Sequence, residues 1–322
     1  MQDLLDKDNI SIVFQGPVGH RGGDLENNIR KTRQVFPKAE FILSTWQDSD
    51  ELVFNQFDKV ILNRDPGPIY SEPVAGYPNN ILRQVVSTAK GLNMASNKYA
   101  IKIRTDFSIE NDGFIEQWLN YVPAKPETVL FKKPVAILSL GCSDPVRRSL
   151  LFHPSDYFYF GLREDLLLYW NVENQVKDNK NLALSINEKI LHPLYGMSFG
   201  RLAIEQELFC LFLMNKYEKN ISFRYRDQFG KELLKLSEDL LLNNFVLLDV
   251  FDSGIVAPKR IQKISKLKHH YEQNSVTAVL NGNRAVLRSR YVGALITRYK
   301  YLPRQVLLTI YSLVAYFVLI VC

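Results

Sequence analysis

Short apolar runs alternate with segments of helical character along the first part of the chain. Residues 10–14, 40–45 and 59–63 are rich in β-branched and aromatic side chains, and each run resembles a short buried strand that enters a loop. Residues 25–36 have helical character and end at Pro37. Strands separated by helices predict βαβ units, and therefore an α/β fold with a mostly parallel sheet.

Residues 79–94 are the clearest helix predicted in the first half of the chain. Their apolar side chains recur on one stripe, so Arg83 falls on the opposite, polar face. Farther along, residues 152–170 predict an aromatic strand that turns into a helix at Gly161. Residues 202–216 predict another helix, which contains Glu205.

Residues 99–106, YAIKIRTD, predict a strand on which an arginine and an aspartate share a face. Side chains alternate along a strand, so Arg104 and Asp106 point the same way. Ligands of open α/β sheets bind outside the carboxyl ends of the strands. We therefore predict a site assembled from Asp106 and from polar residues at the ends of the earlier strands: Gln15, Gly16, Thr45 and Asn63.

Arg104 and Asp106 suit two different roles. The arginine and the carboxylate can simply pair with each other, which is a structural role. They also suit a diphosphate, with the arginine fork on phosphate oxygens and the carboxylate on a divalent metal. The chain contains neither G-x-G-x-x-G after the first strand nor a P-loop, which argues against dinucleotide oxidoreductases and P-loop enzymes.

The segment FHPSDYFYFG, residues 152–161, combines aromatic rings with His153 and Asp156. It could form a sugar-binding platform, or its rings could belong to the core. His153 has no partners at metal-ligand spacing, so a structural role is favoured. Glu205 could lie on a helix surface, or, if it faces the cleft, act as a general base toward an acceptor hydroxyl.

The composition supports a large folded core. Of the 322 residues, 46% are hydrophobic and 12% aromatic, which fits one large domain or two modest ones. The three cysteines lie far apart and form no C-x-x-C pair, so neither a zinc knuckle nor a disulfide framework is predicted. The first ten residues contain acids and no signal-like apolar run, so we expect folding in the cytosol.

The net charge of +6 is concentrated near the end of the sequence. Residues 259–304 contain eleven Lys and Arg residues against a single acid, Glu272, and residues 305–322 are apolar and uncharged. We therefore predict three parts: a domain over residues 1–250, a basic extension over 251–304 and an apolar membrane-associating tail helix over 305–322. A basic segment beside an apolar one predicts attraction to anionic lipid. No nucleic-acid-binding motif accompanies the charge, so nucleic acid is not the predicted partner.

Five blocks in order resemble the WavE family of lipopolysaccharide-synthesis proteins, over roughly residues 10–250: SIVFQGPV, FILSTW, VILNRDPG, NNILRQVVSTAKGL and YAIKIRTD. The resemblance implies a GT-A-like glycosyltransferase with a mixed, mostly parallel sheet. Such an enzyme would move a sugar from a nucleotide-sugar donor to a lipopolysaccharide-core or other lipid-linked surface glycan. We expect it at the cytoplasmic face of the inner membrane, peripheral or tail-anchored, because basic residues precede the apolar tail.

The resemblance also suggests roles for the candidate residues. Asp106 matches the last acid of a D-x-D motif, which holds Mn²⁺ or Mg²⁺ in GT-A enzymes, but Arg104 stands where the first acid would be. A metal-bound donor and direct neutralisation of phosphate by arginine are both open. The expected nucleotide-binding residues are Gln15, Gly16, Thr45, Asn63, Arg83 and Arg104, and the expected base or acceptor contacts are Asp156 and Glu205. A sugar-phosphate transferase and a non-catalytic scaffold of glycan synthesis are the alternatives.

Overall fold

The computed structural model describes residues 5–18, 25–70, 78–148, 150–178, 202–216, 229–249, 251–265, 269–282 and 285–297. The strands of these ranges are β1 (Ile10–Gln15), β2 (Glu40–Trp46), β3 (Lys59–Asn63), β4 (Ile69–Tyr70), β5 (Pro78–Asn79), β6 (Tyr99–Arg104), β7 (Ser108–Ile109), β8 (Val135–Leu138), β9 (Phe158–Leu162), β10 (Phe245–Leu248) and β11 (Ile255–Val256). The α-helices are α1 (Leu25–Val35), α2 (Ile81–Met94), α3 (Gly113–Asn120), α4 (Arg163–Trp170), α5 (Glu173–Asp178), α6 (Ile204–Lys216), α7 (Lys231–Asn244), α8 (Lys259–Ser265), α9 (Gln273–Leu280) and α10 (285–297). Short 3-10 helices cover Lys7–Asn9, Glu51–Gln56 and Pro126–Thr128.

The centre of the fold is a seven-stranded sheet with the order β10-β8-β9-β6-β1-β2-β3. Strands β3, β2, β1 and β6 run parallel, and β8 and β10 are parallel to each other. Strand β9 lies between β6 and β8 and is antiparallel to both. The prediction of a mixed, mostly parallel sheet flanked by helices is therefore confirmed, although no local sequence pattern indicated which strand is reversed.

Because side chains alternate along the strands, each face of the sheet contributes to a hydrophobic core. In β1, Ile12 and Phe14 pack on one face with α1 and α3, and Val13 packs on the other. Helices α2, α4, α6 and α7 cover that second face with buried apolar side chains. The result is three layers, helix on sheet on helix, in which both faces of the sheet are buried.

Helix α2 lies close against the parallel part of the sheet. Its apolar stripe is buried as predicted, and Gly91 permits the approach, because a Cβ there would lie 2.3 Å from Cγ1 of Val13. Ser87, which lies four residues after Arg83 and so on the same face of the helix, is also fully buried. The polar face of α2 is thus turned partly toward the ends of the strands rather than wholly toward solvent.

Strand β6 ends two residues earlier than the predicted strand over 99–106. After Arg104 the chain turns, with the backbone N–H of Phe107 donating to the carbonyl of Arg104 at 3.0 Å. The turn then leads into β7, which pairs antiparallel with β11. Asp106 therefore lies in a turn, where its carboxylate folds back toward Arg104.

The described residues of the predicted basic extension pack on the remainder of the protein. Ile255 and Ile261 join the core on the α1 side of the sheet. Arg290 is buried, and it donates hydrogen bonds of 2.8 Å to both Glu238 and Asp144. The division into separate parts at residue 250 stays a prediction, and the tail over 305–322 lies outside the described residues.

Candidate functional site

A cleft of about 840 Å³ opens where the parallel strands end. Because β1, β2, β3 and β6 run the same way, their carboxyl ends meet at this edge of the sheet, as expected for ligand sites of open α/β folds. The residues that line the cleft are Gln15, Gly16, Pro17, Trp46, Asp48, Asp65, Asn80, Arg83, Gln84, Arg104, Thr105, Asp106, Asp156 and Arg260.

The first turn after β1 forms the floor on one side. Gly16 has a φ of +124°, a conformation that residues with a side chain rarely adopt, and its N–H donates to the carbonyl of Ser44 at 3.2 Å. Gln15 donates from Nε2 to Oγ of Ser87 at 2.8 Å. The hydroxyl of Thr105 donates to the carbonyl of Pro17 at 2.9 Å. These bonds join the first turn to α2 and to the turn after β6.

Asp106 is held by two arginines. Arg104 donates from Nε to Oδ1 at 2.9 Å and from Nη2 to Oδ2 at 3.0 Å, and Arg260 of α8 donates from Nη2 to the same Oδ2. The Asp106 side chain is 4% exposed, whereas Arg104 and Arg260 are 26% and 58% exposed. A buried carboxylate thus anchors two guanidinium groups that reach the cleft.

Arg104 keeps its charge in this position. Burial by itself would lower the pKa of the guanidinium, but the negative charges of Asp156 and Asp106 outweigh burial and raise that pKa. Nε and Nη2 are used by Asp106, and Nη1 donates to no described residue. The free edge of a planar guanidinium that is already fixed in place is well suited to an incoming phosphate oxygen.

Arg83 lines the cleft from α2. It donates from Nε to Oδ1 of Asp65 at 2.8 Å and from Nη1 to Oδ1 of Asn80 at 3.1 Å. The hydrogen bond from Arg83 lowers the pKa of the Asp65 carboxyl. Arg83 and Asp65 are each about one-third exposed, so this pair is accessible to a ligand.

Two predicted nucleotide contacts lie beneath the cleft rather than in its lining. Thr45 is fully buried, and its hydroxyl shares a hydrogen bond of 2.7 Å with the hydroxyl of Ser49. Asn63 is 1% exposed and donates to Oγ of Ser44 and to the carbonyl of Thr45, both at 2.9 Å. In the described structure these two side chains hold the ends of β2 and β3 together, and a contact with a nucleotide stays a prediction for them.

Asp156 is a buried acid in the lining of the cleft. It is only 5% exposed, yet it is among the lining residues, and no described residue donates a hydrogen bond to its carboxylate. Burial raises the pKa of this carboxyl and the charge of Glu205 adds to the effect, while Lys102, Arg104 and His153 oppose it. A carboxyl with a raised pKa that faces a cleft has the properties of a proton acceptor.

A buried lysine lies behind Asp156. Lys102 is fully buried, and its Nζ donates to the backbone carbonyl of Asp156 and lies 4.9 Å from the ring centre of Trp170. Burial lowers the pKa of Lys102 to about 7, against the opposing charge of Asp156. The lysine therefore fixes the backbone of Asp156 from behind and places a cationic group near its carboxylate.

Glu205 stands farther from the cleft than Asp156. It lies in the first turn of α6, is 25% exposed and approaches Nε2 of His153 at 3.4 Å, and it is absent from the described lining. The rings of Phe158, Tyr159 and Phe160 are buried in the two cores. The aromatic segment therefore contributes Asp156 to the cleft and its next rings to the interior.

The side chains around Asp106 do not fit a metal ion in their described arrangement. Both carboxylate oxygens already accept hydrogen bonds from guanidinium groups. Within the described ranges, no three His, Cys, Asp or Glu side chains stand together as a metal site. A divalent ion would have to displace an arginine, or be held mainly by the phosphates of a ligand.

The site also contains residues that the sequence did not single out. Arg260 was one of eleven basic residues in its segment, and nothing local distinguishes it. Lys102 had a signal, because it interrupts an apolar strand between Ile101 and Ile103, but alternation showed only that it shares a face with Arg104 and Asp106.

Among the helices that the structure describes, none is long and apolar enough to cross a membrane.

Comparison with known proteins identifies a family whose model matches the chain. The family model described as WavE lipopolysaccharide synthesis matches residues 10–307, which confirms the resemblance seen in the sequence. No curated protein matches the chain significantly. Among solved structures, the mannosyltransferase PcManGT from Pyrobaculum calidifontis in complex with GDP-Man and Mn²⁺ aligns with 96% of this chain and 86% of its own, at 12% identity and a TM-score of 0.33. A likeness at this level establishes neither a shared activity nor a shared ligand.

The lowered pKa of Lys102 predicts a specific pH dependence of stability. Between its folded pKa of about 7 and its unfolded pKa of about 10.4, the unfolded state binds more protons, so stability rises with pH over that window. Relative to Lys102→Met, the protein with Lys102 should gain about 3 kcal/mol of unfolding free energy between about pH 6 and about pH 9.5. Urea unfolding at both pH values measures it.

The same comparison in an Asp156→Asn background removes the titration of the neighbouring carboxyl. The gain with rising pH should persist there, because it originates in the lysine. If the Lys102→Met substitution left the pH dependence of stability unchanged in both backgrounds, that result would contradict a buried, titrating ammonium group.

Proposed function

Because the chain belongs to the WavE family of lipopolysaccharide-synthesis proteins, we propose that it is a GT-A-like glycosyltransferase. Its donor is a nucleotide-sugar, and its acceptor is a lipid-linked glycan of lipopolysaccharide core or a related surface polymer. The observation that carries the proposal is the cleft at the carboxyl ends of the strands, where arginines and a buried carboxylate face one space. A nucleotide-sugar donor would place a phosphate group and a sugar in this space. The arginines suit the phosphate, and the carboxylate suits the transfer of the sugar.

The arginine side of the cleft is assigned to the phosphate of the donor. Arg104 presents the free edge of a guanidinium fixed by Asp106, and Arg83 on α2 lines the same cleft. Gln15 and Gly16 border the same space, and Trp46, which is 8% exposed and lines the cleft, is assigned to the nucleobase. Arginine suits phosphate because its N–H groups match two oxygens at once.

Asp156 is assigned to the acceptor. In the reaction, an acceptor hydroxyl attacks the anomeric carbon, the bond from that carbon to the phosphate oxygen breaks, and the phosphate leaves with the electron pair. If the hydroxyl attacks directly, the proton goes to the Asp156 carboxylate. Burial and the charge of Glu205 raise the pKa of that carboxyl, which makes it a better base near neutral pH.

The membrane setting of the proposal comes from the end of the sequence. Residues 259–304 are strongly basic and residues 305–322 are apolar. On α10, which lies within the basic residues and before the apolar ones, the exposed side chains of Val292 and Ile296 lie four residues apart, on one face of the helix. A basic and apolar segment of this kind would hold the enzyme at an anionic cytoplasmic surface, beside a lipid-linked acceptor.

A panel of ligands tests the proposal. Thermal unfolding of the full chain would be measured with UDP-, GDP- and CMP-sugars, each with and without Mn²⁺. A ligand that binds only the native state raises the apparent stability, so one nucleotide class should raise the midpoint. Stabilisation that needs Mn²⁺ would mean that a metal joins the donor phosphates. No stabilisation by any of the three classes would contradict the proposal.

Asp156→Asn should reduce sugar transfer by about 10²- to 10⁴-fold, because it removes the proton acceptor while keeping the shape of the side chain. Transfer from a labelled nucleotide-sugar to lipid-linked acceptors in bacterial membranes measures it. Donor binding by the variant should be nearly unchanged.

Two further variants sharpen that result. Asp252→Asn alters an exposed acid and should leave transfer unchanged. Glu205→Gln should cost less than Asp156→Asn, since Glu205 does not line the cleft. A larger loss of transfer in Glu205→Gln than in Asp156→Asn would exchange the roles of the two acids. Full transfer by Asp156→Asn would exclude Asp156 as the base.

The same assay distinguishes the alternative functions. Phosphate retained in the product would indicate a sugar-phosphate transferase, and donor binding without turnover would indicate a scaffold.

Replacement of the three basic residues next to the apolar tail should weaken membrane binding. Each such residue contributes about 1 kcal/mol at an anionic surface, so the triple variant should bind phosphatidylglycerol vesicles at least about tenfold more weakly. The measurement is co-sedimentation with vesicles, and the substitutions are Arg298→Gln, Lys300→Gln and Arg304→Gln.

A matched control removes three exposed charges elsewhere: Lys90→Gln, Lys231→Gln and Lys235→Gln. This control should bind vesicles as the unaltered chain does. Equal weakening by both triple variants would point to net charge alone, and no weakening by either would contradict a role of the basic segment in membrane binding.

A further inference from the structure

Among the described residues that line the cleft, Arg260 is the one that comes from the basic segment after residue 250. Arg260 donates to Oδ2 of Asp106, the same oxygen that accepts from Nη2 of Arg104, although Arg260 and Asp106 are 154 residues apart in the sequence. We propose that Arg260 is a phosphate-binding residue, which forms with Arg104 a two-arginine clamp for the phosphate of the donor. The proposal rests on the proposed function and adds to it a residue and a segment of the chain.

The fold brings Arg260 to the cleft by a short and well-anchored path. Strand β11 pairs with β7, and β7 begins two residues after Asp106. Four residues beyond β11 the chain reaches Arg260, and the next residue, Ile261, is buried in the core at 4% exposure. Gln262 also donates to the carbonyl of Ala257 at 2.7 Å. The position of Arg260 beside Asp106 is therefore set by backbone pairing and core packing.

Most of the donor capacity of Arg260 remains for a ligand. A guanidinium has five N–H donors, and Arg260 is described as using only Nη2, toward Asp106. Its side chain is 58% exposed, while the carboxylate it contacts is 4% exposed. Arg104 likewise keeps Nη1 for a ligand. Two guanidinium groups share the single carboxylate of Asp106, so these three side chains taken by themselves carry a net positive charge.

The pairing with Asp106 does not by itself explain Arg260. Arg104 already contacts both oxygens of that carboxylate, and an ion pair made by a largely exposed side chain contributes little to stability. A second arginine on an anion that is already paired is better matched to a second anion. Phosphate fits because it accepts several N–H bonds from two guanidinium forks at once.

Arg260→Gln tests the inference on the full chain. Calorimetric titration would use UDP, GDP and CMP, the three parent nucleosides, and inorganic pyrophosphate. The substitution should weaken binding of pyrophosphate and of the recognised nucleotide at least about tenfold, as expected for lost charge-assisted hydrogen bonds. Any nucleoside binding should stay unchanged, and so should the thermal midpoint.

Two matched variants separate geometry from charge. Lys263→Gln removes one positive charge from the same helix, at an exposed residue, and should change binding less than about twofold. Arg260→Lys keeps the charge without the planar fork and should recover only part of the affinity. Full recovery by lysine would mean that charge alone matters, and would overturn the clamp.

The remaining outcomes distinguish this inference from the proposed function. If a nucleotide binds and Arg260→Gln binds it equally well, the clamp is overturned and the proposed function stands. If pyrophosphate binds in a manner that depends on Arg260 but no nucleotide binds, the clamp stands and the proposed function fails. If the unaltered chain binds neither pyrophosphate nor any nucleotide, both fail. If Arg260→Gln lowers the thermal midpoint but leaves the affinity for pyrophosphate and nucleotide unchanged, Arg260 has only a structural role.

Discussion

The buried carboxylate of Asp106 and its two arginines are the interaction on which the site depends. A carboxylate with 4% exposure is costly to bury unless its charge is paired and its oxygens are hydrogen-bonded. Arg104 and Arg260 meet both needs, and in doing so they join the end of the central strand β6 to the segment beyond residue 250. The same bonds fix two cations at the edge of the cleft, so one ion cluster both neutralises the buried carboxylate and shapes the binding site.

The carboxyl of Asp156 is the second charged feature of the cleft. Asp156 is held from behind by Lys102, and burial raises the pKa of the carboxyl while it lowers that of the lysine. Both shifts have one physical cause, which is removal of a charged group from water. The cleft therefore offers fixed positive charge together with a proton-accepting carboxyl whose charge also acts on Arg104. Transfer of a sugar from phosphate to a hydroxyl needs both kinds of group.

Local pattern was enough to predict the parallel strands and helix α2, because each depends on the spacing of neighbouring residues. It also predicted that Arg104 and Asp106 lie close together, although Asp106 lies in the turn after β6 and not on the strand. It could not predict contacts that depend on the fold as a whole. Strand β9 is reversed although its sequence resembles that of any buried strand, and Arg260 reaches Asp106 only through the pairing of β11 with β7. The inward position of Thr45 likewise follows from packing at the strand ends. The family, by contrast, was recognisable from the sequence blocks.

The most direct measurement of the central claim is a crystal structure of the full chain grown with UDP, GDP or CMP. We expect phosphate oxygens within hydrogen-bond distance of the Arg104 and Arg260 guanidinium groups, with Asp106 still between them and Asp156 facing the open space next to the phosphate. A nucleotide that binds elsewhere on the protein, or that lies in the cleft with its phosphates turned away from both arginines, would contradict it.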